Sequence, residues 1–267
     1  KYSFLIIIAG SIAMVILDLD KFMIGQYLEI ENVAYYSVAI FIATVISVPQ
    51  RSMHQIMMPL TAKFLNENNK TELQSLYQKS SLSLLIISGL IFLLIVVNIN
   101  MLYEILPKKF TGGLFVVIII GLAKLYDNLM GNNNAIIFNS DYYRVVLFFG
   151  VLLAILAVVF NMILIPIYGI DGSALATFLA IIIYNTLKLV FVKIKLKMQP
   201  FSFATIKVLI LLTVLSFGFY YVDFTLHPIV NIILKSILLS LIYLFLVYKF
   251  KLSKDINDQL KKYLPFL

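Results

Sequence analysis

The chain alternates between long apolar runs and short polar gaps, a pattern that predicts membrane-spanning helices. A spanning helix needs about 20 mostly apolar residues. Eight runs meet or approach that length, at residues 2–25, 33–49, 80–97, 112–138, 145–167, 172–192, 204–222 and 228–248. The stretch 51–79 is polar and amphipathic, and the lysine-rich segment 251–267 is expected to be a soluble tail.

Composition favours a bilayer over a soluble core. Of the 267 residues, 62% are hydrophobic and 13% charged, whereas about a quarter are charged in an ordinary soluble domain. The mean hydropathy of +1.00 agrees. Lipid accommodates such a surface when each crossing satisfies its backbone hydrogen bonds as a helix. We therefore expect an all-α integral membrane fold with about eight transmembrane helices.

The lysines predict how these helices are oriented. If successive gaps alternate between sides, 16 of the 21 Lys and Arg residues fall on one side and two on the other. The remaining three, Lys21, Lys124 and Lys235, fall inside predicted spans. Because positively charged loops are retained in the cytoplasm, both ends of the chain are expected to be cytoplasmic. The net charge of +8 thus indicates topology and not nucleic-acid binding.

The fourth run carries the most polar groups, and two of them are charged. Lys124 lies twelve residues past Gly112, roughly 18 Å along a helix and near the middle of the bilayer. Asp127 is three residues further on and shares its helix face. Either both residues line a polar cavity, with the ammonium open to an anionic substrate such as a pyrophosphate, or they form a buried ion pair between helices.

Four asparagines continue the fourth run and favour a hydrated cavity, because packing alone does not need so many polar groups. They are Asn128, Asn132, Asn133 and Asn134.

Asp18, Asp20 and Lys21 form a second charged cluster. Residues two apart on a helix point about 200° apart, so Asp18 and Asp20 cannot chelate one metal ion without breaking the helix. Asp18 and Lys21 can instead pair on one face. An ion pair near the headgroups and a cavity site that includes Asp20 and Lys21 both stay open.

Arg51 follows Pro49 at the predicted cytoplasmic end of the second run, where it contacts either anionic lipid or substrate. Residues 165–174, IPIYGIDGSA, predict a compact turn between two helices, because proline ends a helix and glycine permits a reversal. Gly172, Ala176 and Ala180 then form a small-residue seam for close helix packing.

Several chemistries are excluded or lack a motif. The chain has no cysteine, which excludes disulfides and thiolate catalysis or metal ligation. There is no Walker loop, HExxH motif or dinucleotide fingerprint. We therefore predict a non-enzymatic protein without cofactor or metal.

Four segments carry a resemblance to a known family. They are DKFMIG at residues 20–25, YYSVA at 35–39, the stretch from Asn161 through IPIYGIDGSALAT at 165–177, and KMQPF at 197–201. In order and spacing they resemble polysaccharide flippases of the multidrug/oligosaccharidyl-lipid/polysaccharide superfamily, and the resemblance covers nearly the whole chain.

The resemblance implies a fold and a transport function. Residues 1–200 would be a C-terminal lobe of about six helices, 201–250 two additional helices, and 251–267 a cytoplasmic tail. Two lobes would alternate access to a central cavity in the bacterial inner membrane. They would carry an undecaprenyl-pyrophosphate-linked oligosaccharide, an O-antigen type of precursor, to the outer leaflet. Because the sequence starts at Lys1 and not Met, we expect a missing N-terminal lobe.

Two alternative functions stay open. One is a multidrug/cation antiporter of the same superfamily. The other is a membrane-embedded polysaccharide polymerase or ligase, although such an enzyme would be expected to carry a large external loop, and every predicted external gap here is short. The expected partners are membrane lipid and the lipid-linked oligosaccharide, whereas the antiporter would exchange a cation against an amphipathic drug.

Overall fold

The computed structural model describes residues 18–224 and 227–263, and this part of the chain is helical without strands. Its first helix, α1, occupies described residues 18–27. The others are α2 Ile30–Thr44, α3 Val48–Asn66, α4 Lys70–Val97, α5 Ile99–Ile105, α6 Leu114–Leu129, α7 Asn133–Asn139, α8 Arg144–Lys195, α9 Phe203–Tyr220, α10 Pro228–Lys249 and α11 Lys254–Tyr263. Most of the first predicted span, residues 2–25, lies outside the described residues.

The described helices give five to six candidate membrane spans. Five segments are long and apolar enough, namely Ile30–Asn66, α4, α8, α9 and α10. A sixth arises if α6 and α7, which are bent by 49° at their junction, count as one span. By its helix composition the chain is a multi-pass membrane protein, as the apolar runs predict.

Helix α8 reverses direction in its middle. Gly169 has φ 61° and ψ −136°, outside the helical region. The Ser173 hydroxyl donates to Asn161 Oδ1 at 2.8 Å, although twelve residues of straight helix would separate them by about 18 Å. The rings of Phe149 and Phe191 also meet, 5.9 Å apart. Helix α8 is therefore a hairpin with a first limb, 144–168, and a second limb, 170–195, which confirms the turn predicted at 165–174.

The hairpin closes tightly because Gly172 lies in the first turn of its second limb. A Cβ on Gly172 would lie 2.0 Å from the Leu164 carbonyl oxygen. Gly172, Ala176 and Ala180 are all buried, as the small-residue seam predicts. The second limb is bonded to α6, where the Tyr126 and Thr186 hydroxyls are 2.8 Å apart.

The fourth predicted span is broken between α6 and α7. Gly131 has φ +55°, and a Cβ there would lie 2.7 Å from the Ser81 backbone nitrogen of α4. The Ser81 hydroxyl donates to the Leu129 carbonyl at 2.6 Å. The break is thus held directly against the backbone of α4.

The bundle has two distinguishable ends. At one end, Gln74 donates to the Gln199 carbonyl at 2.7 Å and accepts from its backbone N–H at 3.1 Å. We call this the lysine-rich end; its connecting segments and flanking helix ends carry Lys63, Lys70, Lys193, Lys195, Lys197, Lys249 and Lys251. At the opposite end, Lys235 pairs with Asp223 at 3.0 Å. Helix α11 belongs to the lysine-rich end, since Asn257 donates to the Tyr248 carbonyl at 3.3 Å.

Candidate functional site

A cavity of about 270 Å³ opens between α1, α2, α6, α7 and both limbs of α8. Its charged lining residues are Asp20, Lys124 and Asp127. Asn134, Tyr184 and Asn185 add polar groups, and apolar side chains such as Ile120 and Leu153 complete the wall. The structure therefore brings four of the polar residues singled out in the sequence into one cavity, namely Asp20, Lys124, Asp127 and Asn134.

Asp20 is a buried carboxylate held by three neutral donors. It is 8% exposed. Its Oδ2 accepts from the Tyr36 hydroxyl at 2.9 Å and from the Thr177 hydroxyl at 2.6 Å, and its Oδ1 accepts from Asn161 Nδ2 at 3.0 Å. Asn161 accepts in turn from Ser173. These bonds join α1, α2 and both limbs of α8 at one point.

Asp127 is also held by neutral groups. Its Oδ2 accepts from Gln50 Nε2 at 3.1 Å, and its Oδ1 accepts from Asn185 Nδ2 at 2.9 Å. Gln50 lies in the first turn of α3 and Asn185 on the second limb of α8. The carboxylate is thereby fixed between two elements, and no cation of the described residues lies within 4.0 Å of it.

Lys124 lines the same cavity without a polar contact. Within residues 18–224 and 227–263 its ammonium makes no hydrogen bond, and it forms no ion pair within 4.0 Å, with Asp127 or any other acid. The ion pair of the second alternative is thus absent from the described part of the chain, and an anion-binding role of the cavity remains a prediction. An ammonium needs hydrogen-bond acceptors inside a membrane, so Lys124 is the open cationic group of this cavity.

Lys188 lies behind the cavity wall, and its position corrects the lysine count. That count assigned Lys188 to a cytoplasmic gap, but the residue is inside the second limb and only 2% exposed. Its ammonium donates to Asn134 Oδ1 at 2.7 Å and lies 3.9 Å from the centroid of the Tyr184 ring. Both contacts are with residues that line the cavity. The imbalance of basic residues between the two sides remains large without Lys188.

The charged groups follow one another along the bundle. Helix α6 and the second limb run in the same direction, because Val116 and Ala174 near their starts belong to one apolar cluster and Tyr126 near the end of α6 bonds Thr186. Thr177, which binds Asp20, precedes Asn185 by eight residues, or roughly 12 Å of helix. Asp20, Lys124, Asp127 and Lys188 therefore alternate in sign toward the lysine-rich end.

Three of the four asparagines fix the helix break and do not line the cavity. Asn128 donates to the Ile46 carbonyl at 2.8 Å, Asn132 donates to the Thr61 hydroxyl, and Asn133 donates to the Tyr77 hydroxyl at 2.8 Å. All three are at most 2% exposed. They attach the break to three neighbouring segments, so only Asn134 lines the cavity as the sequence suggested.

Two further predicted residues lie outside the cavity lining. Lys21 pairs with Asp18 at 2.8 Å, with 36% and 73% of the two side chains exposed, which confirms the predicted pairing. Arg51 is exposed near the start of α3. A substrate role for Lys21, Arg51, Asn128 or Asn132 remains a prediction.

The sequence analysis did not single out the groups that fix the two carboxylates. They are Tyr36, Gln50, Ser173, Thr177 and Asn185, and Asn161 was named only at the start of one segment of the family resemblance. One signal was available, because Ser173 and Thr177 are four residues apart and so share a face of an otherwise apolar helix.

No protein family, curated protein or solved structure matches the chain. The sequence and the structure alone support an all-helical, multi-pass membrane protein. The resemblance to polysaccharide flippases remains a hypothesis.

Proposed function

We propose that the chain is the C-terminal lobe of a transporter for lipid-linked oligosaccharides, and that Lys124 binds the anionic pyrophosphate of the substrate. The observation that carries the proposal is the Lys124 ammonium in the cavity between α1, α6 and α8, where no described residue pairs with it. Ionisable groups at this depth are costly and mark substrate paths. A phosphate oxygen is a strong acceptor for an ammonium.

The arrangement of helices supports the proposal. Each limb of α8 is long enough to cross a bilayer once, because 25 residues of helix measure roughly 37 Å. Two limbs, the bent α6–α7 pair and the other four candidate spans give seven crossings in the described part of the chain. The first predicted run, residues 2–25, would be the eighth crossing of a six-helix lobe with two additional helices. The excess of lysines at one end fits a cytoplasmic placement of that end.

The cavity size also supports a two-lobe transporter. About 270 Å³ holds a pyrophosphate or one sugar ring but not an oligosaccharide. A second lobe would complete the space for the sugar head group, while the lipid tail stays in the bilayer. We therefore propose that this lobe alone does not transport.

The proposal is tested by replacing Lys124 in the full-length protein. In cells that lack the gene, Lys124→Ala should restore export at least about tenfold less well than the wild type, since an ammonium–phosphate contact contributes about 1.4 kcal/mol or more. Lipid-linked oligosaccharide should accumulate on the cytoplasmic face. Lys63→Ala removes an exposed lysine of α3 and serves as the matched control.

Two results would reject the proposal. One is a gene deletion that leaves no lipid-linked oligosaccharide on the cytoplasmic face. The other is wild-type export by Lys124→Ala at normal membrane abundance.

Asp20 favours a second candidate, a multidrug/cation antiporter. It is a buried carboxylate with three neutral donors and, in the described part of the chain, no cation within 4.0 Å. Such a group can exchange a proton or a metal cation during transport. Cation-dependent drug efflux from proteoliposomes, abolished by Asp20→Asn, would support this candidate over the flippase.

A further inference from the structure

Asp127 and Lys124 do not pair, although their positions on α6 should bring them together. Residues three apart on a helix are neighbours, and opposite charges attract strongly away from water. The Asp127 carboxylate nevertheless accepts its hydrogen bonds from Gln50 and Asn185. Something must hold it away from the ammonium.

The two amides provide that restraint. Gln50 Nε2 binds Oδ2 and Asn185 Nδ2 binds Oδ1, so each carboxylate oxygen is fixed by a different element. An amide satisfies a carboxylate by hydrogen bonding without cancelling its charge. The negative charge is therefore kept in the cavity, on the helix that also carries Lys124, and we call these two hydrogen bonds the tethers of Asp127.

The hydrogen bond between Gln50, at the start of α3, and Asp127 on α6 is accompanied by a second bond nearby. Gln50 follows the 3₁₀ segment Val45–Ser47, and the Ile46 carbonyl in that segment accepts from Asn128, the neighbour of Asp127. Two adjacent residues of α6 thus bond the start of α3. A movement of α3 against α6 would disturb both bonds together.

We infer that Gln50 and Asn185 are positioning residues, which hold Asp127 off Lys124 and so keep the ammonium open to a phosphate or pyrophosphate group. The inference rests on the proposed anion site at Lys124. Asp127 is then a tethered competitor for the ammonium. When a tether is lost, Asp127 pairs with Lys124, and the bound anion is displaced without any other charge entering the cavity.

The test measures anion binding by the full chain in phosphatidylcholine nanodiscs. One arm uses inorganic pyrophosphate, and the other uses polyprenyl pyrophosphate placed in the disc, to separate a free anion from a lipid head group. Gln50→Leu should weaken binding about tenfold, because an internal ion pair must first be broken. Asn185→Leu, on the second limb of α8, should weaken binding in the same way. Because Asn185 is not part of α3, agreement between the two variants excludes a local folding defect in α3 as the cause.

The decisive variant combines two changes. Asp127→Asn removes the competitor, so Gln50→Leu should have no effect in that background, and the double variant should bind at least as well as the wild type. A merely structural role of Gln50 would not be rescued in this way. Gln55→Leu changes an exposed glutamine of α3 and is the matched control.

The outcomes separate this inference from the proposed function. If the wild type binds neither probe, the anion site itself fails. If the wild type binds a probe and the Gln50→Leu and Asn185→Leu variants bind it equally well, the positioning role is wrong while the anion site stands. The same conclusion follows if Asp127→Asn does not restore binding to these variants. Loss and rescue in one arm alone support the inference and assign the ligand to that source.

Discussion

At the scale of single residues, helix geometry gives two neighbouring acids opposite surroundings. Asp18 and Asp20 are two positions apart, so their side chains point about 200° apart. The Asp18 side chain is 73% exposed and pairs with Lys21. Asp20 is buried and accepts three hydrogen bonds. The pair therefore offers a built-in comparison between a surface and an interior carboxylate.

Asp20→Ala should lower the free energy of unfolding by about 3 kcal/mol, because three buried donors lose their acceptor. The measurement is thermal unfolding of the purified protein in detergent, followed by circular dichroism. Asp18→Ala should leave the melting temperature nearly unchanged, since exposed ion pairs contribute little. Equal melting temperatures for the two variants would show that the bonds around Asp20 are not stabilising.

Depth and spacing predicted part of the site. Lys124 and Asp127 could be found because a charge in the middle of an apolar run is costly wherever it lies. The acceptors and donors around them could not be found, since Thr177 and Asp20 are 157 positions apart and no local periodicity links them. Lys188 was counted with the gap although it lies four residues before the end of the run 172–192, because no local pattern shows that Asn134 and Tyr184 enclose it.

At the scale of elements, the α8 hairpin depends on close backbone contact. The sequence predicted this turn from proline and glycine, but the contact of Gly172 with Leu164 appears only when the two limbs are folded together. The break between α6 and α7 was not predicted, because GNNN at residues 131–134 lacks proline and sits inside one apolar run. Its cause is tertiary, since α4 holds Gly131.

Gly172→Ala should destabilise the protein by about 2 to 3 kcal/mol, because the new methyl group would overlap a backbone carbonyl that cannot move aside. Gly150→Ala lies in the first limb, where a Cβ meets nothing within 4 Å. It should be neutral or stabilise by up to about 1 kcal/mol. Denaturation in detergent compares the two, and a stable Gly172→Ala protein would contradict the close approach of the limbs.

At the scale of the whole molecule, the segments that connect the helices lie at two opposite ends of the bundle. The α3–α4 turn, the α8–α9 loop and α11 share the lysine-rich end, and the α8 turn and the α9–α10 loop lie at the other. Alternation of basic gaps along the sequence anticipated this sorting, because it depends only on the order of the crossings. The order of the crossings alone does not determine which end faces the cytoplasm.

The orientation can be measured directly, because the sequence contains no cysteine. Single cysteines in place of Glu31, Glu104 and Tyr168 should react with a membrane-impermeant maleimide added outside intact cells. Cysteines in place of Glu67, Asp141 and Lys254 should react only after permeabilisation, since the lysine-rich end is expected inside. Labelling of both sets from one side would contradict the multi-pass topology.

The three donors to Asp20 are also synthesised at different times. Tyr36 follows Asp20 by 16 residues, whereas Asn161 and Thr177 follow by 141 and 157. At 5–20 residues per second, a ribosome needs about 7 to 30 s to deliver these later donors. During that interval Tyr36 is the one of these three donors that has already been synthesised, so the bonds that join α1 to α8 form only after the hairpin has been made.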